Sequence, residues 1–227
     1  LYYEVAGEGR PFVMIHAGVA DRRQWNNEFP FFAQRFRAVR YDMRGYGNSE
    51  PVEGEYRSLD DLIALLDHLR VDRPAVLMGC SMGGGLAMEL ALAHPDRVAA
   101  LIMVDSAPPG LELDAPELHA FEQAEKAYEA GDFDRLCEIE TQIWFDGIGR
   151  TASEVDPAMR QLLYEMNRVA LANEAKGLGK RLPDAELPAS ERVGELQAPV
   201  LVIVGANDIP YMLAAADWMV EHVPGAR

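Results

Sequence analysis

The chain has 227 residues, of which 49% are hydrophobic, enough for one domain with a sizeable core. Its 21 lysines and arginines stand against 37 aspartates and glutamates, and the net charge of −16 disfavours binding to nucleic acid or anionic lipid. No apolar run is long enough to cross a bilayer, and the first residues lack the basic and apolar regions of a signal peptide. We therefore expect a cytoplasmic protein that binds a small neutral or apolar molecule, and the composition leaves a homo-oligomer open.

Five short apolar runs, separated by helical segments, predict a parallel sheet. They are continuous rather than alternating with polar residues, which is typical of strands covered on both faces. Before the third run, Ser58 is predicted to cap a helix whose first turn holds Asp60 and Asp61. This β-α-β alternation predicts an α/β fold with a doubly wound, mainly parallel sheet. In chain order, the runs are residues 12–15, 38–41, 75–78, 101–104 and 200–204.

The alternation breaks after residue 107. The following segment has no strand-like run, and prolines mark its borders. We predict a helical lid at 108–195, inserted into a core of residues 1–107 and 196–227. Its predicted helices are 115–130, 133–145 and 157–176. Four of its residues could line a pocket, although aromatic and methionine residues at helical spacing are more often core residues. These four are Trp144, Phe145, Tyr164 and Met166.

The most informative stretch is Gly79-Cys80-Ser81-Met82-Gly83, which fits the pattern G-x-S-x-G. It follows an apolar run and precedes a predicted helix rich in small residues. A sharp turn from strand to helix strains the backbone of its central residue, and bulky flanking residues would clash there. Such a turn presents a hydroxyl at a helix N-terminus, where backbone N–H groups can stabilise an oxyanion. Ser81 is therefore the predicted nucleophile, and a structural turn serine is the alternative.

At this point the sequence resembles the α/β-hydrolase family, and the resemblance covers nearly the whole chain. His16-Ala17-Gly18-Val19 is similar to the family's His-Gly-x segment, although Ala17 stands where the family usually has glycine. The resemblance implies an oxyanion hole formed by the backbone N–H groups of Gly18 and Met82. His16 itself is interpreted as a structural histidine of this loop rather than as a catalytic base.

Two further segments carry the resemblance. Asp42 to Ser49 is similar to a D-x-R-G-x-G-x-S turn that is diagnostic of the fold, and the charges of Asp42 and Arg44 are expected to tie neighbouring loops together. Asp208 follows the last apolar run, where the family places the acid of its catalytic triad, so we predict that it orients an imidazole. A helix-capping role for Asp208, and Asp105 as the acid, are the alternatives.

No histidine stands where the family's catalytic histidine is expected. His222 ends the last predicted helix, and the other histidines are also misplaced. Since the first residues already resemble the family's second strand, we predict that the chain lacks the family's first and last strands and that the histidine lies beyond Arg227. A non-catalytic homologue is the competing explanation. Without a base, the 227 residues alone are expected to be nearly inert.

The resemblance as a whole implies a serine hydrolase that cleaves a small ester-like substrate through an acyl-Ser81 intermediate, of carboxylesterase or lactonase type. A ligand-binding homologue without turnover, a C–C bond hydrolase and an acyltransferase remain alternatives on the same scaffold. A serine at the elbow argues against dehalogenase and epoxide hydrolase relatives, which place aspartate there. No metal or organic cofactor is implied, and Cys80 and Cys137 are expected to be free thiols.

Overall fold

The computed structural model describes residues 1–116 and 119–227. In chain order, its strands are β1 (Tyr3–Ala6), β2 (Pro11–Ile15), β3 (Arg37–Tyr41), β4 (Glu55–Tyr56), β5 (Ala75–Cys80), β6 (Val98–Val104), β7 (Lys180–Arg181) and β8 (Val200–Ile203). The main sheet has six strands in the spatial order β1, β3, β2, β5, β6, β8. β1 is antiparallel to β3, and the other neighbours are parallel, which confirms the predicted mainly parallel sheet. β4 and β7 form a separate parallel pair.

Helices connect these strands. In chain order, the α-helices are α1 (Glu28–Phe32), α2 (Ser58–His68), α3 (Met82–Ala93), α4 (His119–Glu129), α5 (Phe133–Thr141), α6 (Pro157–Glu174) and α7 (Pro210–His222). A π-helical segment at Gln142–Asp146 extends α5. Short 3-10 segments lie at Arg22–Trp25, Pro95–Arg97, Ala152–Glu154, Ala189–Glu191 and Val193–Glu195.

The sheet is covered on both faces, as its continuous apolar strands predict. In β2, Val13 and Ile15 pack with residues of α2 and α3, while Phe12 and Met14 pack with aromatic residues around α1. Successive side chains of a strand point to opposite faces, so both sets become buried only when helices cover both sides. Phe12 stacks on Phe32 with 4.1 Å between ring centroids. The sheet is thus a rigid internal layer that holds the loops at its carboxyl edge.

The helical character predicted after residue 107 is confirmed, with shifted bounds. Residues 115 and 116 are not helical, so the helix predicted from residue 115 does not begin there; α4 is described from His119, and residues 117 and 118 lie outside the described residues. The segment also contains β7, a strand that its polar residues Lys180 and Arg181 do not predict, because it is held only by its pairing with β4. The division into a core and a lid stays a prediction, and we call 108–195 the insertion.

One predicted helix cap is wrong. α2 begins at Ser58 itself, so the N-cap position belongs to Arg57, whose side chain makes no capping hydrogen bond. Asp184 of the insertion provides the acceptor instead, because its Oδ1 accepts a hydrogen bond of 2.9 Å from the backbone N–H of Leu59. A first-turn N–H needs such an acceptor from outside the helix, and here the tertiary fold supplies it.

Within residues 1–116 and 119–227, no helix is long and apolar enough to cross a membrane.

The feature that matters for chemistry is the order β5, β6, β8, because these three parallel strands are neighbours and end at the same edge of the sheet. Ser81 directly follows β5, Asp105 directly follows β6, and Asp208 lies in the loop after β8. The topology therefore brings three residues that are distant in sequence to one place.

Candidate active site

Ser81 occupies a strained turn between β5 and α3. Its backbone has φ 50° and ψ −116°, a region that non-glycine residues rarely adopt. Hydrogen bonds hold it there: its N–H donates to the Val104 carbonyl at 3.0 Å, and its carbonyl accepts from the Gly84 N–H at 2.9 Å and from the Ser106 hydroxyl at 2.7 Å. Ser81 remains exposed. The surrounding backbone thus fixes the position of a hydroxyl that faces solvent.

The glycines of this elbow (residues 79–83) are explained by close backbone contacts. A Cβ on Gly79 would overlap the backbone of Gly83 and Gly84, and a Cβ on Gly83 would overlap the carbonyl groups of Ile15 and His16. α3 therefore packs backbone to backbone against the strand before it and against the end of β2. Only glycine allows this approach, as the G-x-S-x-G pattern predicts.

The two amides predicted for the oxyanion hole lie beside Ser81. Met82 is the first residue of α3, so its N–H has no partner within the helix. Gly18 lies close by, since a Cβ built on it would be 3.9 Å from Cβ of Met82. Within the part of the chain that the structure describes, neither N–H donates a hydrogen bond to a protein acceptor. Both donors are therefore available to a ligand, and the N-terminus of α3 favours negative charge there.

The loop that carries Gly18 (residues 16–20, the oxyanion loop) is held from two sides. His16 Nδ1 donates to the Ala17 carbonyl at 2.8 Å, and His16 Nε2 accepts from the Met43 N–H at 3.0 Å, which requires the neutral ring. Burial lowers the pKa of His16 below its usual value. Gln24 Oε1 accepts from the Ala17 N–H at 2.9 Å. His16 is thus structural, as interpreted from the sequence, and both of its ring nitrogens are engaged.

The charges of the turn at residues 42–49 tie neighbouring loops together, as predicted. Asp42 is fully buried and accepts hydrogen bonds of 2.8 Å from the N–H and the Nη1 of Arg22 and from the N–H of Asn48. Arg44 forms two hydrogen bonds with Asp61 on α2, at 2.6 and 2.8 Å. Charge-assisted bonds of this kind are short and directional, so they fix the loops next to the oxyanion loop.

Asp105 and Asp208 meet at the carboxyl edge of the sheet. Asp105 Oδ1 accepts from the Gly205 N–H at 2.7 Å, and Asp208 Oδ1 accepts from the Ile209 N–H at 2.7 Å. Burial, together with the adjacent carboxyl of Asp105 within hydrogen-bonding reach, raises the pKa of Asp208 to about 6. Two carboxylates this close repel one another, so one of them retains a proton more readily. The two acids weighed from the sequence therefore occupy one location.

None of the histidines in the described residues lines either of two cavities that Ser81 borders. His222 donates from Nδ1 to the Trp218 carbonyl at 2.8 Å and stacks on the Trp218 ring at the exposed end of α7. His68 bonds the Tyr3 hydroxyl at 3.1 Å, and His119 contacts a glutamate on α4. The expectation that no histidine of this chain is placed as the catalytic base stays a prediction.

A cavity of about 500 Å³ lies between the elbow and the insertion, and we call it the site cavity. It is bordered by the oxyanion loop, Ser81, Asp105 and Asp208. Six side chains of the insertion complete its wall, namely Glu140, Trp144, Phe145, Met159, Leu163 and Met166. Three of the four residues weighed from the sequence therefore lie here; the fourth, Tyr164, packs with α5 and bonds Asp134 at 3.1 Å. Helical spacing alone does not separate wall residues from core residues.

Glu140 was missed by sequence reasoning, since one acidic residue on an acidic helix carries no distinguishing signal. Cys80 is a free thiol that lines the site cavity but is buried, and desolvation raises the pKa of the thiol to about 12, which disfavours the reactive thiolate. Cys137 is also a free, buried thiol.

In the described ranges, no group of three or more His, Cys, Asp or Glu side chains could hold a metal ion.

A doubly wound sheet with an exposed serine at a strand-to-helix elbow, next to two unengaged amides, is the architecture of a nucleophile-elbow hydrolase. The α/β hydrolase fold family matches residues 10–211, and the chain belongs to this family. This membership confirms the fold and the family resemblance drawn from the sequence.

The chain is similar in sequence and structure to proteins with named reactions. A pimeloyl-[acyl-carrier protein] methyl ester esterase of Nitrosospira multiformis is 31% identical over 98% of this chain and 86% of its own length. The 3-oxoadipate enol-lactonase 2 of Acinetobacter baylyi is 26% identical over 88% of this chain and 72% of its own length. The crystal structure of the enol-lactonase from Burkholderia xenovorans LB400 superposes with a TM-score of 0.78 and 25% identity, covering 100% of this chain and 85% of that one.

Proposed function

We propose that this protein is a serine hydrolase that cleaves small carboxylic esters or lactones through an acyl-Ser81 intermediate. One observation carries the proposal: an exposed hydroxyl is held at a strained elbow beside the unengaged N–H groups of Gly18 and Met82. The esterase and lactonase names of its relatives support the same reaction class. A small neutral or apolar substrate and a cytoplasmic location complete the proposal.

In the proposed reaction, Ser81 Oγ attacks the ester carbonyl carbon while its proton passes to a base. The carbonyl oxygen becomes an oxyanion that accepts hydrogen bonds from the Gly18 and Met82 amides. Collapse of this intermediate breaks the bond to the alcohol oxygen, which leaves with a proton. Water then attacks the acyl-Ser81 carbonyl in the same manner, releasing the carboxylic acid and restoring the hydroxyl.

We assign Asp208 as the acid that orients the base, with Asp105 beside it as the alternative. Both border the site cavity with Ser81. An imidazole that donates from one nitrogen to Asp208 and accepts the Ser81 proton at the other would complete the triad. None of the five histidines lines the site cavity, which supports the proposal that the base is not one of them.

Added imidazole therefore tests the proposal. With imidazole at about 100 mM, the 227-residue chain should hydrolyse para-nitrophenyl butanoate at least about tenfold faster than without it, after subtraction of the rate of Ser81→Ala in the same buffer. Asp208→Asn should reduce this Ser81-dependent rate by about tenfold or more. The subtraction matters because imidazole alone attacks aryl esters.

Two outcomes would overturn the proposal. Absence of any Ser81-dependent rate, with or without imidazole, would favour a ligand-binding protein without turnover. A high Ser81-dependent rate that imidazole does not change would mean that a residue of this chain already acts as the base. Mass spectrometry after reaction with a fluorophosphonate checks the acyl site directly, since the adduct should be on Ser81 and absent from Ser81→Ala.

A further inference from the structure

The site cavity carries charge of only one sign. Its lining includes the carboxyl groups of Asp105, Glu140 and Asp208. Among the described residues that line it, none is a lysine, an arginine or a histidine. The rest of the wall is mostly apolar, with two aromatic rings from Trp144 and Phe145. Charges held against apolar walls act more strongly on a ligand than the same charges would in bulk water.

Glu140 is the charge that the proposed reaction does not use. It lies in the last turn of α5, partly buried, and its Oε2 accepts a hydrogen bond of 2.6 Å from Nδ2 of Asn167 on α6. Asn167 is only 2% exposed, so the pair is anchored inside the insertion. None of the ion pairs in the described parts of the chain includes Glu140. Its carboxylate is thus positioned without being neutralised.

The arginines nearby are already compensated. Arg44 and Arg181 border an adjoining cavity that shares Gly18, Val19 and Glu140 with the site cavity. Arg181 also borders a second cavity beside Ser81 and Met82, which contains neither Glu140 nor Asp208. Arg44 is paired with Asp61 at 2.6 Å, and Arg181 is paired with Asp184 at 3.1 Å. Because each guanidinium has its own carboxylate, these residues do not cancel the charge of Glu140. Burial raises the pKa of Glu140, opposed by the hydrogen bond from Asn167.

From this arrangement we infer that Glu140 is a specificity-determining residue. It favours substrates that present a hydrogen-bond donor, above all an ammonium group, to the insertion side of the site cavity. It excludes substrates that present a carboxylate there. An ammonium group can donate a hydrogen bond to the Glu140 carboxylate and contact the rings of Trp144 and Phe145. A substrate carboxylate would face Glu140 without a cation to pair with, which costs affinity. This inference rests on the proposed function and replaces its neutral or apolar substrate with one that carries a hydrogen-bond donor.

Binding of charged and neutral fragments tests this inference without turnover. Butylammonium, butan-1-ol and butanoate each contain four carbon atoms in a linear chain and differ in the head group. At a pH of about 8 and low ionic strength, butylammonium should bind the wild-type chain at least about tenfold more tightly than butanoate, as measured by ligand-observed NMR titration. Glu140→Gln, which keeps an acceptor for Asn167, should reduce this ratio to within about threefold.

The matched control is Glu125→Gln. Glu125 is exposed on α4, and its side chain takes part in no hydrogen bond or ion pair within the described residues, so its replacement changes the net charge equally and should leave the ratio unchanged. Glu140→Met, which resembles the apolar wall, serves if Glu140→Gln does not fold. Equal binding of butylammonium and butanoate to the wild type, or an unchanged ratio in Glu140→Gln, would overturn the inference. Ser81→Ala should bind all three fragments normally, so failure of ester hydrolysis would not affect this result.

Discussion

Ser81 shows how a single residue combines strain with exposure. Its positive φ costs on the order of 1–3 kcal/mol in an L-residue, and the fold maintains it through hydrogen bonds to the Ser81 N–H and carbonyl and through close glycine contacts. In return, the hydroxyl projects from the sheet next to the N-terminus of α3. In a relaxed helical or extended conformation, the serine hydroxyl would lie along its own helix or strand. It would then not lie next to the N–H groups of both Gly18 and Met82.

The carboxyl pair predicts a pH dependence of stability. The pKa of Asp208 is raised from 3.8 to about 6, so its protonated form is favoured in the folded state and its stabilising contribution is lost as pH rises through about 6. Asp208→Asn imitates the protonated form. The free energy of unfolding of this variant should therefore exceed that of the wild type at a pH of about 7.5. The difference should be on the order of 1 kcal/mol after allowance for the partial exposure of Asp208.

The measurement is urea unfolding across the pH range from about 4 to about 8. The difference between Asp208→Asn and the wild type should shrink as the pH falls below about 6, because Asp208 is then protonated in the folded wild type. Asp217→Asn, at an exposed position on α7, removes the same charge elsewhere and should show no comparable trend. A difference that stays constant with pH would contradict the raised pKa of Asp208.

At the scale of elements, the contact between α3 and β2 fixes how closely the N-terminus of α3 approaches the sheet. Gly83 lies against the Ile15 and His16 carbonyls, with no side chain between helix and strand. Any added atom must push α3 away from the sheet and with it the Met82 amide. The same packing also positions the oxyanion loop, which follows β2 directly, so both donors of the proposed oxyanion hole depend on one helix–strand contact.

Gly83→Ala should therefore lower the free energy of unfolding by roughly 2–3 kcal/mol, since the new methyl group overlaps backbone rather than a movable side chain. Gly194→Ala is the matched control. Gly194 has no atom within 4 Å of its built Cβ and an ordinary φ, so this change should stay within about 0.5 kcal/mol of the wild type. Chemical denaturation measures both variants, and equal stability of the two would contradict the packing argument.

At the scale of the whole molecule, the net charge of −16 opposes compactness. Raising NaCl from about 20 to about 300 mM should raise Tm by a few degrees, because screening weakens repulsion among exposed carboxylates more than it weakens buried pairs such as Arg160 with Asp146. KCl at the same ionic strength should have the same effect. A fall in Tm with salt would show instead that ion pairs outweigh the repulsion.

The amino-acid sequence by itself determined the features that depend on local chemistry. Continuous apolar runs specified the parallel strands, and the glycines around Ser81 specified an elbow, because both patterns follow from backbone geometry within a few residues. The family resemblance was equally local, carried by short motifs. Asp42 and Arg44 bind neighbouring loops as expected, since a buried charge in a tight turn requires a partner.

Only the tertiary structure decided which distant residues meet. Local pattern could not show that Asp105 and Asp208 share one location, because that follows from the adjacency of β6 and β8. It could not show that Glu140 faces the site cavity, because this depends on how α5 packs against α6. It named Ser58 as the cap of α2, whereas Asp184 from the insertion supplies the bond. In each case the deciding interaction joins segments separated by many residues, and its free energy appears only after the chain has folded.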